Sequence, residues 1–115
     1  METIEVFIGS SRILSGGQVV DTLRPVSFVG EKLGEYATLT GDNDTRGIKE
    51  RLFRVNDGRL IVHVKAWSRW QGEPDTHSLH EVTEADLQPN GRFEFLGAAS
   101  GFGRPLTLDE ALSEN

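Results

Sequence analysis

The segment from His63 to Glu81 holds both tryptophans and all three histidines of the chain, with Arg69, Glu73, Asp75 and Glu81 among them. Imidazoles and carboxylates side by side are the materials of general acid–base catalysis and of metal ligation. Tryptophan and arginine bring large apolar area with a polar handle, the combination enriched at interaction hot spots. Three kinds of chemistry therefore compete for one window.

The metal reading depends on spacing. His77 and His80 are three residues apart, which on an extended strand sends them to opposite faces. His63 could reach His77 or His80 across paired strands, with Glu81 or Asp75 as a third ligand, but no recognised ligand spacing is present. The chain has no cysteine, which excludes thiolate zinc sites, disulfides and cysteine nucleophiles. Serines are present at 10, 11, 68, 78 and 100, yet none lies in a G-x-S-x-G elbow. No motif calls for a metal or cofactor. A small hydrolase or isomerase would need His80 with Glu81 or Asp75 converging in a cleft. The candidate binding residues are Trp67, Arg69 and Trp70, with His63 beside them.

Other short motifs dissolve on inspection. Leu14-Ser15-Gly16-Gly17-Gln18 resembles the signature peptide of the ATP-binding-cassette ATPases. That chemistry also needs a phosphate-cradling G-x-x-x-x-G-K-[ST] loop, which the chain lacks, so a Gly-Gly turn is expected. Asp42-Asn43-Asp44-Thr45-Arg46-Gly47 begins like a calcium loop but has Phe53 where the bidentate acid should stand. Gly97 to Gly103 lacks dinucleotide-loop spacing and the later strand of a βαβ unit.

The elements that position these residues read as mainly β. Thirteen glycines punctuate the chain, as short strands with tight turns require. Ile4, Val6 and Ile8 alternate as a first strand. Gln18 to Arg24 reads as a second, with Val26 to Val29 continuing it as an edge or bent segment after Pro25. Glu35 to Thr40 alternates weakly. Ile48–Val55 and Arg59–Trp67 flank Asn56-Asp57-Gly58, and Asp-Gly is a strong two-residue hairpin signal. That loop sets Val55 opposite Leu60, Phe53 opposite Val62 and Glu50 opposite Lys65. A three-residue loop sets Lys49 opposite Lys65, a like-charge pair, so the two-residue loop is expected.

In that register Val55, Leu60, Phe53, Val62, Val64 and Ala66 share a core face. Ile48, Leu52, Ile61 and Trp67 share the back, too apolar to lie open to water. Something must cover it: a second sheet, the terminal helix or another subunit. Those four residues are the candidate interface of a homodimer. Further on, Thr76 to Val82 reads as a strand, Thr83 to Leu87 as a capped turn, and Arg92 to Leu96 as another strand. Thr107 and Glu110 have capping-box spacing before a short C-terminal helix.

At 115 residues the chain suits one domain. The expected fold is a small barrel or rolled antiparallel sheet of six or seven short strands. A net charge of −6 makes nucleic acid a poor partner, despite Arg46, Lys49, Arg51, Arg54 and Arg59 lying close together. No apolar run has transmembrane length, and the acidic N-terminus lacks a signal-peptide flank, so a cytoplasmic location is expected. Functionally, these features suggest a non-enzymatic binding, accessory or regulatory module acting through protein–protein contacts. A small-molecule-binding barrel around Trp67 and Trp70 is the alternative within the binding class.

Overall fold

The computed structural model describes residues 1–13, 16–17, 19–40, 45–70, 73–102 and 108–113. Six antiparallel strands dominate them: β1 (Glu2–Ile13), β2 (Val19–Asp21), β3 (Arg24–Thr40), β4 (Arg46–Val55), β5 (Leu60–Ser68) and β6 (Asp75–Val82). A 3₁₀ turn (Glu84–Leu87) and the short helices α1 (Glu94–Ala99) and α2 (Leu108–Ser113) follow. The strand order is β2-β1-β3-β4-β5-β6, and β1 also pairs with β6, so the sheet closes into a ring.

Closure depends on β1 serving two partners. Its first part, Glu2 to Ile8, pairs with β3, and its continuation, Gly9 to Ser11, pairs with His77 to Asp75 of β6. The switch falls at Gly9, whose φ of 116° is closed to most side chains. A Cβ there would also meet the carbonyl oxygen of Thr22.

β3 makes the corresponding adjustment. Its pairing with β4 shifts between Lys32 and Gly34, a β-bulge at Leu33. Before the bulge, Gly30 and Lys32 stand opposite Val55 and Phe53. After it, Gly34 and Tyr36 stand opposite Leu52 and Glu50. The strand expected to be edge-like or bent after Pro25 and the weak strand at Glu35 to Thr40 are thus one continuous β3. Pro25 is tolerated near its start because proline's missing N–H matters least there.

The β4–β5 hairpin corrects the expected register. Arg54 pairs with Leu60, Leu52 with Val62, Arg51 with His63 and Lys49 with Lys65, the arrangement that charge pairing disfavoured. The loop is the three-residue Asn56-Asp57-Gly58. Gly58 N–H donates to the Val55 carbonyl at 2.8 Å and Val55 N–H to the Arg59 carbonyl at 2.8 Å. Of these three loop residues only Gly58 has positive φ, at 96°. A type I′ turn would need Asp57 there as well, whereas a type I turn followed by a left-handed glycine does not. The like-charge pair is relieved from the side, because Lys49 bridges Glu35 of β3 at 3.3 Å.

One residue of register redistributes every side chain on the hairpin. Leu52, Leu60 and Val62 form the outer face with Val82 and pack under Leu87, Phe93 and Leu96 as one buried cluster. Phe53, Val55 and His63 are buried on the opposite, inner face. There β1 and the start of β3 lie across the hairpin: Phe28 meets Phe53 edge to face at 5.4 Å, and Val6 is buried. The expected core face is therefore split between two layers, and both layers are covered within a single chain.

Arg92 to Leu96 is not a strand. Phe93, Leu96 and Gly97 are buried while Phe95 is 62% exposed, the i, i+3, i+4 phase of a helix rather than alternation. Glu94 accepts the Asn90 N–H at 2.8 Å ahead of α1, and Phe95 stacks on Tyr36 at 5.6 Å. Thr83 caps the 3₁₀ turn as expected, with Asp86 accepting its N–H at 2.9 Å. α2 occupies the place of the expected C-terminal helix, although its expected cap Thr107 lies outside the described residues. So do residues 41–44 of the calcium-like run, residues 14, 15 and 18 of the Gly-Gly run, and Gly103 of the last glycine-rich run.

Candidate functional site

Odd-numbered positions of β4, β5 and β6 line the inner face in successive rows. Arg51 stands beside His63, Lys49 beside Lys65, and Gly47 beside Trp67. His63 stands beside Leu79, and Lys65 beside His77. Cross-strand neighbours of this kind lie about 5 Å apart and rows about 7 Å apart. One concave surface thus runs from an apolar end at Phe53, through arginine, lysine and imidazole, to tryptophan.

His63 sits at its centre and is 1% exposed. The Arg51 Nη2 donates to its Nδ1 at 2.9 Å. Arginine can only donate, which leaves the ring hydrogen on Nε2. That N–H faces the Phe7 carbonyl of β1 at 2.9 Å and the His77 Nδ1 at 3.3 Å. The two rings are tilted with centroids 5.3 Å apart. Burial pushes the His63 ring down to about 4, with Arg51, His77 and Lys65 adding to the effect and the Phe7 carbonyl opposing it. His77 is also lowered, first by burial and then by Lys65 and Arg51, against Asp75. Both imidazoles are therefore neutral near pH 7.

Trp67 lies flat against Gly47, where a Cβ would run into its indole. Arg69 covers the same ring, its guanidinium carbon 5.6 Å from the centroid. Trp70 is 53% exposed, yet it is held in place. Its indole N–H donates to Thr45 Oγ1 at 3.0 Å and its backbone N–H to Ser68 Oγ at 3.0 Å. The Arg69 N–H donates to the Thr45 carbonyl at 2.9 Å. Arg46 clamps the far side of the turn through a two-point ion pair with Glu73, Nε to Oε2 at 2.9 Å.

The four candidate binding residues thus separate into two groups. Trp67, Arg69 and Trp70 gather at the turn end of β5, while His63 is on the same face but enclosed by Arg51, His77 and Phe7. The four candidate interface residues do not share a face. Leu52 is fully buried beneath α1, with Ile48 on that outer side, whereas Ile61 and Trp67 are inner. The register shift is the cause.

The acid–base candidates diverge as well. His80 faces outward, bonded to Ser78 Oγ at 3.0 Å and tilted over Phe93, whereas Asp75 accepts the Ser68 N–H at 3.0 Å. Among the described residues no group of three histidine, aspartate or glutamate side chains could hold a metal ion. In sequence Arg51 and Lys49 read only as part of a basic cluster and Lys65 only as a partner for Glu50, not as neighbours of the histidines. Alternation placed them on strands, but only the correct register brings them onto one face with His63 and His77.

Among the described residues no helix is long and apolar enough to cross a membrane. Compared with known proteins, the chain matches no family model, and neither a curated protein nor a solved structure matches it.

Proposed function

We propose that this protein is a non-catalytic binding module that acts through protein–protein contact and self-associates through the rim formed by Trp70, Arg69 and Trp67. The observation that carries the reading is Trp70, more than half exposed while both its indole and backbone N–H groups are already bonded. An aromatic surface fixed before binding loses little side-chain freedom on contact, which favours affinity. Leu39, 55% exposed, extends the apolar strip, since its strand position pairs with Gly47 and so with Trp67 across three strands. Leu52, buried beneath α1, offers no uncovered back of the hairpin to a partner. The rim replaces it.

Sedimentation velocity across micromolar to submillimolar protein tests the proposal. The expected result is a monomer–dimer equilibrium that Trp70→Ala weakens by at least about tenfold, the scale of a hot-spot truncation. Wild type and variant sedimenting alike as monomers throughout the range would refute it.

A further inference from the structure

We propose that the inner face of β4, β5 and β6 holds a small phosphate-bearing anion between Arg51, Lys49, Lys65 and His77. The site does not depend on self-association and lies one row from the Trp67 rim.

The register makes the case first. Lys49 is the cross-strand partner of Lys65, and Lys65 is the partner of His77. Arg51 and His63 fill the adjacent row. Like charges directly opposite one another destabilise a sheet. In a chain of net charge −6, such a row is not what composition alone would place on one surface.

Neutralisation on this face is incomplete. Glu35 is shared between Lys32 at 2.9 Å and Lys49 at 3.3 Å. Asp75 is engaged by the backbone N–H of Ser68. Lys65 has no acidic partner among the described residues, and the Arg51 guanidinium meets the uncharged Nδ1 of His63.

The hydrogen-bond directions define the ligand. His63 is used up, accepting from Arg51 and donating to Phe7, with His77 Nδ1 as a second acceptor. His77 then carries its own hydrogen on Nε2. Guanidinium, ammonium and imidazole N–H groups are all donors; the acceptors beside them are Glu35, opposite Arg51 and already shared by Lys32 and Lys49, and Asp75, already bonded to Ser68. A phosphate supplies several acceptor oxygens and the negative charge that the row lacks.

Inorganic phosphate and phenyl phosphate, titrated at constant ionic strength against chloride and acetate, test the site. Readouts are the thermal midpoint and the ring signals of His77 by NMR. Saturable stabilisation by phosphate is expected, with the His77 titration moving upward as the anion offsets Lys65 and Arg51. Lys65→Gln should weaken binding about tenfold, the scale of one charge-assisted hydrogen bond, while Arg54→Gln, the same charge change on the outer face, leaves it intact. Tighter binding of phenyl phosphate assigns the ligand to a phosphate ester, and equal binding assigns it to free phosphate. The proposal is overturned by three outcomes: phosphate acting no differently from chloride, acetate matching phosphate, or Arg54→Gln weakening binding as much as Lys65→Gln.

Discussion

The buried imidazole of His63 makes stability depend on pH in one direction. Its folded value of about 4 lies below the unfolded 6.5, so between those limits the unfolded chain binds a proton that the native state refuses. Stability is full above pH 6.5 and falls as the solution is acidified toward pH 4. From pH 7.5 to pH 5 the loss from this one group is about 2 kcal/mol, taking ~1.4 kcal/mol per pH unit through the window. His63→Gln is the perturbation of choice. An amide can accept from Arg51 and donate to the Phe7 carbonyl, but it does not titrate. Urea unfolding followed by tryptophan fluorescence at the two pH values measures the effect, and the quantity of interest is the difference in pH dependence between the proteins. His77 titrates in the same sense as His63, and Glu50, raised by burial, titrates in the opposite sense. Both are present in each protein and largely cancel. Wild type should lose about 2 kcal/mol more than His63→Gln over that interval. Equal losses, or a His63 ring titrating near 6.5 in the folded protein, refute the reasoning.

Leu52→Ala removes a fully buried side chain from beneath α1 and should cost about 3 kcal/mol by chemical denaturation, the usual outcome for a leucine cavity. Gly47→Ala places a methyl group where the Trp67 indole now rests, so the ring must move away. The expected cost is about 1–3 kcal/mol, with a shift in the tryptophan emission spectrum that Trp67→Phe abolishes.

The sequence made the β class legible because Ile4, Val6 and Ile8 alternate and Asp57-Gly58 marks the only sharp reversal between two long apolar runs. Register was not legible, because two strands taken alone do not determine it. Lys49 opposite Lys65 looks prohibitive until Glu35 arrives from β3, a third strand whose position no pairwise rule supplies. The consequence reaches the site: with the register displaced by one, Leu52 and Trp67 would share a face, and Arg51 would be separated from His63. Phe93 and Phe95 imitate a strand through alternation alone, whereas the helical phase appears only once Leu96 and Gly97 are counted with Phe93. What could be read correctly was local: the capped turn at Thr83, the divergence of His77 and His80, and the placing of Trp70 in the loop beyond the hairpin strand.

The bulge at Leu33 gives β3 a property that no other strand shares among the described residues. Because the chain changes phase there, side chains of one parity serve the inner layer upstream and the outer layer downstream. A single inserted or deleted residue within β3 would cancel or double that phase change, exchanging Tyr36 with Glu35 between an apolar cluster and a charged surface. In evolutionary terms β3 is a ruler of fixed length. Turn lengths lie outside this constraint, but both layers of the molecule are measured from this one strand.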